Sequence, residues 1–181
     1  MLAYIFWHSP LPCHDQAAYE SSLARFHGRL EPSEIEGFTG SAAFLVTGAT
    51  FAASGAPTYE DWYLVDDFAG LGRLNEAAVA GSRKAPHDAV AAQAGAGAAG
   101  LYALRGGVST APSELAVWFS KPPASSYGEI LDRVAGRGAL WQRQMTLGPS
   151  PELCLLGDEP LADLAPTIVV RRERTVVAFA G

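Results

Sequence analysis

Trp7-His8-Ser9-Pro10-Leu11-Pro12, near the amino end, is answered past the middle of the chain by Trp118-Phe119-Ser120-Lys121-Pro122-Pro123. A second match follows each. Tyr19, Leu23, Arg25, Gly28 and Arg29 recur as Tyr127, Leu131, Arg133, Gly136 and Arg137, and a three-residue difference in the intervening loop brings both matches into one register. Self-similarity of this kind marks a unit built twice, so the chain reads as an internal duplication.

The repeated residues have structural work to do. Tyr19, Leu23 and Phe26, like Tyr127, Leu131 and Val134, are spaced to form one apolar stripe of a helix. Ser126 and Glu129 have capping-box spacing, and Asp15 is placed to cap the earlier helix. Gly28 and Gly136 stand where a left-handed residue would stop each helix, with Arg25 and Arg133 in the last turn against the negative end of the dipole. The block therefore predicts strand, loop, helix and stop.

Working outward, 38–46 and 59–66 read as strands joined by the small-residue loop 47–58. In the second half, 140–147 and 152–156 read as strands around the turn 148–151. A helix is expected around 71–80, a second over the Ala-rich stretch 88–99, and strands over 101–105 and 167–177. The composition break at 106–112 suggests a joint, giving a first unit over 1–108 and a shorter second unit over 109–181. Each unit follows the β-α-β-β-(α)-β order of the split βαβ pattern. The expected fold class is α+β: two tandem ferredoxin-like (βαββαβ) repeats forming an intrachain pseudo-dimeric α+β barrel.

This arrangement, with a first strand ending in an aromatic-polar-Ser turn, resembles the dimeric α+β barrel superfamily. Gly37-Phe38-Thr39-Gly40-Ser41 is similar to a segment of its YciI-like members. The superfamily also includes small monooxygenases, isomerases and haem-using chlorite dismutase-like enzymes, so the resemblance implies a fold and leaves the function open.

Composition narrows the function classes. Half the residues are hydrophobic (49%) and 18% are charged, which is too apolar for a disordered chain, and no apolar run is long enough for a membrane helix. The formal net charge of −6 has the wrong sign for a nucleic-acid partner. The Arg171–Arg174 cluster reads as an exposed strand end. Cys13 and Cys154 have no metal-type spacing, and the first residues lack the basic start of a signal peptide, so a reduced, cytoplasmic setting is expected.

The duplication also ranks candidates: polar residues present in one unit only are freer to serve chemistry. His8 matches apolar Phe119. Strand alternation puts Tyr4, Phe6 and His8 on one face and Trp7 on the other; with Trp7 packed on the helix, His8 would enter the barrel as an acid, base or ligand. Its alternative is a buried neutral histidine with one hydrogen bond. Asp61 and Tyr63 share one face of their strand, with Trp62 on the other, and suit a small organic ligand. The alternative there is a plain core with Asp66 or Asp67 capping the next helix.

No metal site is expected, because His8, His14 and Asp15 lack ligand spacing. His27 reads as a favourable charge at a helix end. Ser9 lacks a nucleophile-elbow context, and Gly95 to Gly100 fits GxGxxG in the wrong order relative to strand and helix. The superfamily resemblance raises haem, with His87 as the candidate axial ligand, although the relatives carry theirs in the later half.

The expectation is thus a protein that binds a small apolar or aromatic molecule in the first unit, a site compatible with cofactor-independent acid-base or oxygenase-type chemistry. His8, Tyr63 and Asp61 would be catalytic, and Trp7, Trp62, Tyr4 and Phe6 would line the ligand site. The alternatives are a non-catalytic, self-associating protein with a filled barrel, and a haem-binding protein. No nucleic-acid or membrane partner is expected, and a homo-oligomer is compatible with the sequence.

Overall fold

A computed structural model describes residues 1–51, 57–108, 113–145, 151–164 and 167–179. The strands are β1 (Leu2–Pro10), β2 (Phe38–Thr47), β3 (Thr58–Val65), β4 (Ala94–Gly106), β5 (Leu115–Phe119), β6 (Ala139–Arg143), β7 (Leu153–Gly157) and β8 (Thr167–Val177). The helices are α1 (Gln16–His27), α2 (Phe68–Ala78), α3 (Gly81–Ala91) and α4 (Tyr127–Val134). No helix among the described residues is long and apolar enough to cross a membrane.

The expected pair of ferredoxin-like repeats is corrected. The strands form one closed antiparallel barrel in the order β1-β3-β2-β8-β5-β7-β6-β4. Two ladders close it: β2 with β8, from Ala43 opposite Val177 to Thr47 opposite Arg171, and β4 with β6, from Tyr102 opposite Arg143 to Gly106 opposite Leu140. Both would be sheet edges in a two-sheet arrangement, and closure removes the unpaired backbone groups an edge would expose. Between β7 and β8 the described residues form a 3₁₀ turn at Ala162–Leu164 and no α-helix.

Side-chain alternation fills the barrel. Ala3, Ile5 and Trp7 point inward and meet Trp62, Trp118, Trp141 and residues from every other strand. Glu60 lies among them, accepting from Trp7 Nε1 at 2.9 Å, Trp62 Nε1 at 2.7 Å and Arg172 at 3.3 Å. The Arg172 guanidinium lies over the Phe44 ring, 4.0 Å from its centroid. The expectation that Trp7 packs on a helix and His8 enters the barrel is therefore reversed. The indole is the larger apolar body and takes the interior, which puts His8 on the outer face beneath α1.

The helix caps largely follow the sequence. Asp15 accepts from Ala18 N, Asp67 from Gly70 N, and Ser126 with Glu129 closes a capping box on α4. Gly136 is left-handed at φ +76°, but Gly28 is right-handed at −67°, so only one of the two expected glycine stops forms. The helix expected over 88–99 ends at Ala91, and 94–100 is strand. Small residues are needed there because a Cβ on Gly100 would lie 2.6 Å from the Tyr102 ring, and one on Gly97 2.6 Å from Phe6. Parts of the loop 47–58, the turn 148–151, the expected strand 140–147 and the joint 106–112 lie outside the described residues.

Candidate functional site

Tyr4, Phe6 and His8 project from the outer face of β1, directly opposite Tyr63, Asp61 and Tyr59 of β3. The first two turns of α1 bring Tyr19 and Leu23 over this surface, and its end brings Phe26 and His27. With α2 and α3 they roof a cavity of about 630 Å³. His8, Asp61 and the tyrosines form its polar wall, and Leu23, Phe26, Leu74 and Val90 much of its apolar one. Phe68 and Val79, 55% and 47% exposed, also line it.

Asp61 is the hub of the polar wall, and it is buried. Its Oδ2 accepts from the Tyr63 hydroxyl at 3.1 Å and from His27 Nε2 at 3.3 Å, and lies 3.0 Å from His8 Nε2 without hydrogen-bond alignment. A carboxylate only accepts, so His27 presents Nε2–H to it, while Nδ1 of His8 and Nδ1 of His27 each face a hydroxyl. Tyr19 serves His8 at 2.5 Å, and Ser41 serves His27 at 2.8 Å. The His8 ring is further fixed by stacking on Phe6, and the His27 ring by stacking on Tyr63.

Burial alone would raise the Asp61 carboxyl. The neighbouring His8 and His27 outweigh it and hold the group well below the ordinary carboxylate range. Burial, then the Asp61 charge, pushes the Tyr63, Tyr19 and Tyr4 phenols up. The wall thus holds one persistent anion among neutral phenol donors. So depressed a carboxylate is a poor proton acceptor but a good orienting group.

Five of the residues expected to be catalytic or to line the ligand site meet at this cavity: His8, Asp61, Tyr63, Tyr4 and Phe6. Trp7 and Trp62 do not. As the intended ligand wall they are corrected to barrel-interior residues, both donating to Glu60. His87 lines the outer part of the cavity, pairs with Asp88 and packs edge-on against Phe26. Asp15 is a helix cap, and His14 and Cys13 are exposed. Among the described residues no group of three or more His, Cys, Asp or Glu is arranged to hold a metal ion.

Sequence reasoning passes over Ser41, reads His27 as a charge at a helix end and reads Tyr19 as part of an apolar stripe. For His27 a signal is present, since the expected repeat aligns it with Ala135, the same polar-for-apolar difference that marks His8. Tyr19 has Tyr127 as its counterpart and so reads as structural. In the fold the two differ: Tyr19 is fully buried against His8, and Tyr127 is exposed. No family model matches the chain, and no curated protein matches its sequence.

Proposed function

We propose that the protein binds a small apolar or aromatic molecule in the cavity beneath α1, α2 and α3, and acts on it by cofactor-independent acid-base chemistry. One observation carries this reading: a cavity of about 630 Å³, within the usual range for small-molecule sites, has apolar walls and the His8–Asp61–Tyr63 group on one side. His8 is the proton carrier. Asp61 and Tyr63 orient it and the ligand, and Tyr4 and Phe6 supply aromatic surface.

Titration with the neutral apolar fluorophore N-phenyl-1-naphthylamine tests the binding step. Saturable enhancement is expected in the native protein and is lost in Leu74→Trp, which fills the cavity. His8→Ala retains binding and loses any turnover. Absence of saturable binding by protein with native circular dichroism overturns the reading. The filled barrel interior favours a second reading, a non-catalytic protein that associates through its outer faces. It predicts no ligand-dependent thermal shift and a concentration-dependent mass in solution.

A further inference from the structure

Two buried polar atoms of residues that line the cavity have no aligned hydrogen-bond partner among the described residues: Oδ1 of Asp61 and Nε2 of His8. They are complementary. Oδ1 is an acceptor, and Nε2, held beside the Asp61 carboxylate, is the ring nitrogen favoured to carry a proton and donate. They are also neighbours, since the other oxygen of Asp61 lies 3.0 Å from this same Nε2. Buried polar atoms nearly always find a partner, so an acceptor and a donor on neighbouring residues that line a cavity describe the head group that fits there.

That group must accept one hydrogen bond and donate another from a single small centre. A hydroxyl does both. A carboxylate only accepts, an ammonium only donates, and a hydrocarbon does neither. An anion is disfavoured further, because no Lys or Arg lines the cavity among the described residues and the Asp61 charge faces it. Resting on the small-molecule reading above, we infer that the ligand is an apolar alcohol or phenol whose hydroxyl bridges His8 Nε2 and Asp61 Oδ1, with its hydrocarbon body against Leu23, Phe26, Leu74 and Val90.

Three probes that share one body test this by calorimetric titration: 4-tert-butylbenzyl alcohol, 4-tert-butyltoluene and 4-tert-butylbenzoate. A site built around a hydroxyl rejects analogues lacking it, so the alcohol is expected to bind at least about tenfold more tightly than either. In Asp61→Asn, where a neutral carbonyl replaces the charged acceptor, the preference over the hydrocarbon falls several-fold. The native protein decides alone if that variant does not fold. Equal binding of alcohol and hydrocarbon overturns the head-group assignment and leaves the cavity reading standing. So does tighter binding of the benzoate. Failure of all three to bind overturns both.

Discussion

Removing Asp61 should cost the fold more than removing any one of its donors, because Oδ2 is the shared partner of His27 and Tyr63 and the charge partner of His8. Loss of one member of a buried charged group leaves the others unpaired, at about 3–5 kcal/mol. Asp61→Ala is expected in that range in urea unfolding, and Ser41→Ala, which withdraws only a neutral hydroxyl from His27, at about 1 kcal/mol. The pH dependence has a fixed sign. The folded chain holds this carboxyl below its ordinary value of 3.8, so between the two values the unfolded chain binds more protons. The stabilisation is fully present above pH 3.8 and lost as pH falls below it. The native protein should therefore lose stability more steeply than Asp61→Asn over that acid window; parallel curves would sink the assignment. Most of the wall was legible at this scale, because alternation along β1 and β3 depends on sequence alone. Which face turns inward was not, since that choice was made by competition between Trp7 and His8 for the interior.

At the scale of elements, β4 shows where local composition misleads. Its Ala and Gly residues look like helix and turn, yet Gly97, paired with His8 of β1, lies against the Phe6 ring, and Gly100 lies under the fully buried ring of Tyr102, two residues further along the same strand. Gly100→Ala is expected to destabilise by about 1–3 kcal/mol, because a ring held on all sides cannot move aside. Gly72→Ala is the control. A Cβ at that position in α2 meets nothing within 4 Å, so the helix should gain about 0.5–1 kcal/mol from lower backbone entropy in the unfolded chain. If both glycines respond alike, packing does not explain the composition of β4. The helices were easier to read than this strand because their caps are local: Asp15, Asp67 and the Ser126–Glu129 box each act within three residues of themselves. Strand pairing and barrel closure depend on contacts far apart in sequence, such as β2 with β8, and no short motif announces them.

The whole molecule stores its aromatic residues in two layers, the barrel interior and the helix-covered outer face, and this fixes its behaviour in alkali. Five of its six tyrosines, at positions 4, 19, 59, 63 and 102, have phenols raised above their ordinary value of 10.0. Burial leads in every case. The Asp61 charge adds to it at Tyr4, Tyr19 and Tyr63, a hydrogen bond to Glu20 at Tyr59, and weaker charge effects at Tyr102. A phenol raised in the folded chain contributes stability that is fully present below pH 10 and lost as pH rises through the folded value. Because the unfolded chain ionises these groups first, alkali pulls all five in the same direction, and they lie on both faces of a barrel that opens as a unit. Tyrosinate absorbance should therefore remain low past pH 10 and then rise together with loss of the near-ultraviolet circular dichroism, at a pH that falls as urea is added. In Tyr63→Phe, which removes a phenol held down by both burial and Asp61, the transition should shift to higher pH relative to the variant's own neutral-pH stability. Tyrosinate absorbance that develops fully while the near-ultraviolet signal stays native would show that these rings are open to ionisation without unfolding, and would contradict the two buried layers.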